Sequence, residues 1–294
     1  MRVLVTGSSG LLGSALLPAL AEAGHQVVRL LRGVGGPAGN LHWDPAVGTI
    51  DDLSGIDAVV HLAGVSIGAK RWTDGQKKAI LESRTIGTRL LAEAMAAADP
   101  KPRVLISSSA VGYYGNRGDE ELTEESSPGT DFQADVCVQW EAATRPAEEA
   151  GIRTVHIRSG VVQTPDGGTL SRMLLPFKLG IGGRIGPGTQ YFSWISMEDE
   201  IGAILHLLNS DVAGPVNLTS PNPVTNLEYT RTLGRVVNRP TILPTPLLPV
   251  KAVYGSELVE ALMLGSLRVV GVRLAESGYA FKHPDLEAAL RAVI

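Results

Sequence analysis

Three glycines, Gly7, Gly10 and Gly13, are the residues whose spacing most directly implies chemistry. They lie in Thr6-Gly7-Ser8-Ser9-Gly10-Leu11-Leu12-Gly13, directly after the apolar run Arg2 to Val5 and before an apolar periodic segment that reaches Ala23. Strand, glycine turn and helix in that order make a phosphate cradle. Gly7 permits the tight turn, Gly10 lets the main chain approach a pyrophosphate with no Cβ in the way, and Gly13 packs the helix against the strand. The free N–H groups and positive dipole end of the helix then face the phosphates. Thirty residues into the chain a second strand, Gln26 to Arg32, ends in a cation followed by Gly33. A site for NAD carries an acid there to bind the ribose hydroxyls. A guanidinium instead pairs with a 2′-phosphate and stacks on adenine, so Arg32 points to NADP, against the plainer reading of a solvated strand-end arginine. Arg29, inside the strand, reads as structural.

Further along, Val104-Leu105-Ile106 starts a strand that runs into Ser107-Ser108-Ser109, with Tyr113-Tyr114-Gly115 beyond. Hydroxyls at the C-terminal end of a central strand face the crevice where doubly wound sheets bind ligands. His61 stands alone beside the strand Ala58 to His61 and reads as a core histidine, and the small-residue turn Leu62-Ala63-Gly64 after it offers bare backbone.

The elements that position these residues alternate strand with helix, which requires a parallel sheet with right-handed crossovers. Val34 to Leu53, rich in Gly, Pro and Asp, reads as a loop on the adenine side. Trp72 to Ala98 reads as a helix whose interior Gly87 implies a close packing partner, since glycine there costs about 1 kcal/mol relative to alanine. Helices are expected over Phe132 to Glu149, Leu170 to Leu179, Ile201 to Leu208, Leu227 to Val237, Val253 to Leu267 and Asp285 to Val293. Gln190 to Ile195 supplies aromatic faces that could stack a sugar or base, or simply form a buried strand.

The chain has 294 residues and a formal charge of −4, with no blocks of Lys or Arg, so nucleic acid and membrane are not expected partners. Cys137, the single cysteine, excludes an intrachain disulfide and a multi-cysteine metal site and fits a reducing cytoplasm. No apolar segment is long enough for a signal peptide or a membrane span, so a soluble protein is expected.

In combination, TGSSGLLG, DAVVHLAG, a helix containing Gly87-Thr88, and a strand ending SSSA before YYG resemble the extended short-chain dehydrogenase/reductases of the nucleotide-sugar epimerase type. Trp140-Glu141, RSGVV from Arg158, PDGG from Pro165, GPGTQYFSWI from Gly186 and the C-terminal tail resemble the "epimerase family protein" branch. The resemblance implies an α/β fold: a doubly wound parallel Rossmann sheet of about seven strands over residues 1–160, completed by about 196–220. A smaller C-terminal α/β substrate domain would occupy mainly 161–294. It places NADP on Gly7, Gly10, Leu11, Leu12 and Gly13, the ribose phosphate at Leu31 and Arg32, and the adenosine over Leu62 and Ala63. Arg84 would contact cofactor, and Val162 would lie near the nicotinamide. Ser109 matches the catalytic hydroxyl that binds a substrate hydroxyl.

One departure bears on mechanism. Such enzymes carry Tyr and Lys at i and i+4 of one helix, and the Lys charge lowers the Tyr pKa so that it can take a hydroxyl proton. Counting back from Glu141, those positions hold Gln133 and Cys137. Tyr113 or Tyr114 could serve as a displaced acid/base. Two functions follow as expectations: an NADP-dependent oxidoreductase or epimerase acting on a hydroxyl or keto group of a small polar ligand such as a nucleotide sugar, or an NADPH-binding sensor or scaffold without turnover.

Overall fold

A computed structural model describes residues 1–33 and 38–294 of the chain. The first strand, β1 (Arg2–Thr6), alternates its apolar side chains between two cores. Val3 and Val5 pack with Leu16, Leu20 and Ile204 on one face, and Leu4 packs with Val59, Leu91 and Leu105 on the other. A strand buried on both faces reads as a continuous apolar run, which is what residues 3–5 are. Helix α1 (Leu11–Glu22) follows, then β2 (Gln26–Arg32), β3 (Leu41–Asp44), β4 (Thr49–Ile50), β5 (Ala58–His61), the long α2 (Asp74–Ala97) and β6 (Val104–Ala110). A 3₁₀ turn covers Val111–Tyr114, followed by β7 (Glu121–Leu122), α3 (Phe132–Ala142), α4 (Arg145–Glu149), β8 (Arg153–Ser159) and β9 (Val161–Gln163). The remainder comprises α5 (Gly168–Lys178), β10 (Tyr191–Phe192), β11 (Trp194–Ser196), α6 (Met197–Asn209), β12 (Gly214–Leu218), β13 (Val224–Thr225), α7 (Asn226–Val236), α8 (Leu247–Tyr254), α9 (Ser256–Val259) running into a π-helical turn (Glu260–Leu264), β14 (Arg268–Val269), α10 (Val272–Glu276) and α11 (Leu286–Val293).

The main sheet has 8 strands in the order β12-β8-β6-β5-β1-β2-β3-β4. Every neighbouring pair is parallel except β3 with β4. The chain therefore reverses direction of winding at β1, with β2 on one side and β5 on the other, and the crevice at that switch point opens at the C-terminal ends of the strands. A separate apolar cluster of Leu170, Phe177, Trp194, Tyr229, Leu233 and Leu290 holds the later helices together.

Three expectations are decided, two of them as corrections. Within 34–53, residues 34–37 lie outside the described residues, but the rest is not a plain loop: β3 and β4 extend the sheet, because Trp43 turns inward and is buried. Trp43 is also the close partner of Gly87, where an added Cβ would lie 3.2 Å from its ring. The helix expected over 132–149 breaks into α3 and α4, since Thr144 and Pro146 start a new turn. In Gln190 to Ile195, Trp194 is fully buried and donates its indole N–H to Asn222 O (3.1 Å), so it presents no stacking face.

Candidate functional site

The glycine turn is built as its spacing requires. Gly7 sits at φ +63°, and a Cβ there would lie 2.7 Å from Leu62 C and 2.9 Å from Ala63 N, so the turn rests directly on the backbone that follows β5. A Cβ on Gly13 would stand 2.3 Å from Gly7 O, locking α1 to the turn. Gly10 differs: it caps α1 without a side-chain hydrogen bond, and an added Cβ would meet only Gly7 O at 3.1 Å. The space in front of Gly10 and the first N–H groups of α1 is open, which fits a diphosphate. Leu11 and Leu12 are half-buried at the mouth, and Leu62 and Ala63 form the opposing wall.

Beneath the turn runs a buried chain of hydrogen bonds. Thr6 Oγ1 accepts from Leu62 N (3.1 Å) and Ala63 N (3.2 Å) and meets His61 Nδ1 at 2.7 Å. With both lone pairs of Thr6 used, its hydroxyl donates to Nδ1, so the imidazole proton lies on Nε2 and points to Thr88 Oγ1 at 2.8 Å. Trp140 Nε1 donates to the same hydroxyl at 3.0 Å. Burial, helped by the Arg84 charge, lowers the His61 pKa to about 4. His61 is thus a neutral strut, as its isolation in the sequence implies.

Arg32 ends β2 exposed, with no ion pair among the described residues, and Leu31 beside it is half-buried. Arg29 reaches the turn itself, its Nε donating to Ser8 Oγ at 3.0 Å. Arg84 spans from α2 to the wall: Nη1 donates to Val65 O (2.9 Å) and Ile80 O (3.1 Å), and the guanidinium lies 4.8 Å from the Trp140 ring. Val162, half-buried in β9, pairs with Ile195 of β11.

At the end of β6 the serine run meets a buried ion pair. Arg158 from β8 binds Glu141 from α3 in a bidentate fork, Nε to Oε1 at 2.8 Å and Nη2 to Oε2 at 2.9 Å. Ser109 Oγ donates to Glu141 Oε1 at 2.7 Å. Arg158 Nη1 donates to Tyr114 OH at 3.0 Å, and that hydroxyl donates to Asn217 Oδ1 at 2.7 Å. Burial would pull the Arg158 pKa down, but the Glu141 fork and the Tyr114 oxygen outweigh it and hold the group above its ordinary value.

The two tyrosines part company here. Tyr114 is fully buried and its phenol is pushed up to about 12 by burial, so its hydroxyl is committed to the network. Tyr113 is half-buried, its ring centroid 3.4 Å from the Arg158 guanidinium carbon. Gln133 packs its side chain against Gly112, and Cys137 Sγ lies 3.7 Å from Ala110 O. Burial and then the Glu141 charge raise the thiol to about 12, which makes Cys137 a core residue. Glu141 and Arg158 were missed as site residues by sequence reasoning, because α3 and β8 each carry other polar side chains and nothing in the spacing singles out these two as a pair. Among the described residues no group of His, Cys, Asp and Glu could hold a metal ion.

Residues 3–219 match the family model described as the NAD dependent epimerase/dehydratase family. The chain belongs to the NAD dependent epimerase/dehydratase family. Residues 245–293 of this epimerase-family chain match a second model, a domain of unknown function, DUF1731. Among its relatives, an epimerase family protein of Mycobacterium bovis is 45% identical over 98% of this chain and 96% of its own length. The crystal structure of human epimerase family protein SDR39U1 with NADPH matches at 36% identity and a TM-score of 0.92, covering 100% of this chain and 99% of that one. The crystal structure of a nucleoside-diphosphate sugar epimerase from Corynebacterium glutamicum matches at 37% identity and a TM-score of 0.83, covering 100% of this chain and 58% of that one.

Proposed function

We propose that this epimerase-family chain binds NADP(H) at the C-terminal edge of its sheet and holds a small polar ligand with a hydroxyl or keto group, of the nucleotide-sugar class, beside Ser109 and Tyr113. The observation that carries the reading is the open backbone cradle at Gly10, flanked by glycines that admit no side chain. The human relative crystallised with NADPH supports the cofactor, and the relative described as a nucleoside-diphosphate sugar epimerase supports the ligand class. When bound, the nicotinamide ring supplies two-electron redox chemistry. The protein's part is orientation. Arg32 would hold the 2′-phosphate and the amides of Gly10, Leu11 and Leu12 the diphosphate, with Gly7, Gly13, Leu62 and Ala63 shaping the wall. Arg84 keeps that wall in place, and Val162 lines the nicotinamide side. Because Ser109 gives its proton to Glu141, it offers a ligand only its lone pairs, and so orients a substrate hydroxyl as acceptor. Tyr113 is the remaining phenol able to exchange a proton, with Tyr114 in a positioning role.

A second reading, binding without turnover, is favoured by Gln133 and by Cys137 with its thiol at about 12, which leave no group of tuned pKa at the customary positions. The first experiment concerns the cofactor. Titration should give NADPH a preference over NADH of roughly tenfold to a hundredfold, about 1.5 to 3 kcal/mol, and Arg32→Ala should erase it. Equal affinities, or a preference that persists without Arg32, would remove the NADP assignment.

A further inference from the structure

The formal charge of −4 conceals an uneven distribution. Residues 167–197 carry three Lys or Arg and residues 229–256 carry four, with no Asp or Glu in either stretch. The fold lays the two side by side: Thr245 N donates to Arg184 O and Thr245 Oγ1 to Gly183 O, both at 2.9 Å, and Arg239 Nε donates to Lys178 O at 2.9 Å. Along this seam Leu179, Ile181, Ile242 and Leu243 are 64, 60, 86 and 62% exposed. Four large aliphatic side chains held in water at one place are a contact surface rather than scatter.

Next to them Arg231, Arg235 and Arg239 recur at every fourth residue and, with Asn238 and Thr241, line a concavity of about 510 Å³. Arg231 has no hydrogen bond or ion pair among the described residues, whereas Arg235 pairs with Glu287 (2.9 Å) at the rim. We infer that this face docks on an anionic lipid surface, the arginines meeting head-group phosphates and the aliphatic seam entering the interface. The chemistry is that of peripheral membrane contact: apolar side chains beside guanidiniums, on a chain whose described helices are all too short or too polar to span a bilayer. A second copy fits worse, since two-fold pairing would press this cationic face against itself.

The test is sedimentation of the full chain with vesicles at low salt. Vesicles of phosphatidylcholine alone should carry down little protein. With one third phosphatidylglycerol, partitioning should rise at least tenfold, at roughly fivefold per basic side chain engaged, and fall on adding salt. Ile242→Ser with Leu243→Ser, and separately Arg231→Gln with Arg239→Gln, should each lower it at least fivefold, with circular dichroism unchanged. The single variants Ile242→Ser and Arg231→Gln, at an exposed and an unpaired position, should show the same direction. No binding to the anionic vesicles, equal binding to both kinds, or binding indifferent to both sets of substitutions would overturn the inference. So would capture by a polyglutamate peptide without vesicle binding, which would put an acidic protein on this face instead.

Discussion

The residues around Ser109 divide into those already committed and those still available. Glu141, Arg158, Tyr114 and Asn217 satisfy one another, so the network is rigid and its protons are spoken for. Among these residues Tyr113 combines a phenol outside the network with the Arg158 guanidinium held against its ring face. General acid/base catalysis contributes typically 10²–10⁴ in rate, so a chain without the Tyr/Lys pair should turn over common UDP- and GDP-sugars with NADP slowly or not at all. Where turnover is detected, Tyr113→Phe should remove most of it, Ser109→Ala should weaken it through substrate orientation, and Cys137→Ala should leave it unchanged. Cofactor absorbance and product analysis across a sugar-nucleotide panel read all three. Efficient turnover that survives Tyr113→Phe would show that another group moves the proton.

At the scale of elements, the β1–turn–α1 unit closes its backbone on Gly7 and Gly13 and leaves Gly10 to the proposed diphosphate contact, so the three can be told apart. Gly13→Ala drives a methyl group into Gly7 O and should destabilise the chain by about 1–3 kcal/mol in urea unfolding. Gly10→Val, in extended backbone at φ −79° and with a Cβ 3.1 Å from Gly7 O, should cost less stability than Gly13→Ala, leave the chain folded and abolish NADPH binding. If Gly10→Val binds NADPH as the parent does, the turn is architectural only. This unit was legible in the sequence because its signals are local: an apolar run, glycines at fixed spacing, a periodic helix. β2, β5, β6 and α2 were legible for the same reason. β3 was not, since Leu41–Asp44 acquires strand character from its register on β2 and from Trp43 packing against Gly87 of the later helix α2, neither of which shows in the composition of the segment itself. The Glu141–Arg158 fork escaped notice because nothing local announces which helix faces which strand, and the separate fates of Tyr113 and Tyr114 depend on that fork.

For the whole molecule, two buried titrating groups shape stability in opposite directions. Ser159 Oγ meets Glu200 Oε1 at 2.6 Å, and burial, only partly offset by that bond, raises the Glu200 pKa from 4.5 to about 8. The native chain therefore keeps a proton that the unfolded chain has lost, so this contribution is full below about 4.5 and disappears as pH rises through about 8. His61, lowered from 6.5 to about 4, stabilises above 6.5, and that contribution is lost as pH falls toward 4. The thermal midpoint should hold a plateau where the two slopes oppose. Glu200→Gln should stabilise the chain relative to the parent by an amount that grows from pH 5 to pH 9 and reaches a few kcal/mol. A gap that stays constant across that range would mean Glu200 is not neutral in the native chain.

The sheet order has a consequence for the chain as it is made. β8 remains an open edge until β12 pairs with it at residues 214–218, and Asn217 of that strand is the acceptor for Tyr114. During synthesis the cofactor cradle can form from the first hundred residues, but a nascent chain of about two hundred still shows a bare parallel edge and an unanchored phenol. The crevice is thus completed from its Gly10 end toward its Ser109 end, and a ribosome that stops early leaves a fragment prone to pairing with its neighbours.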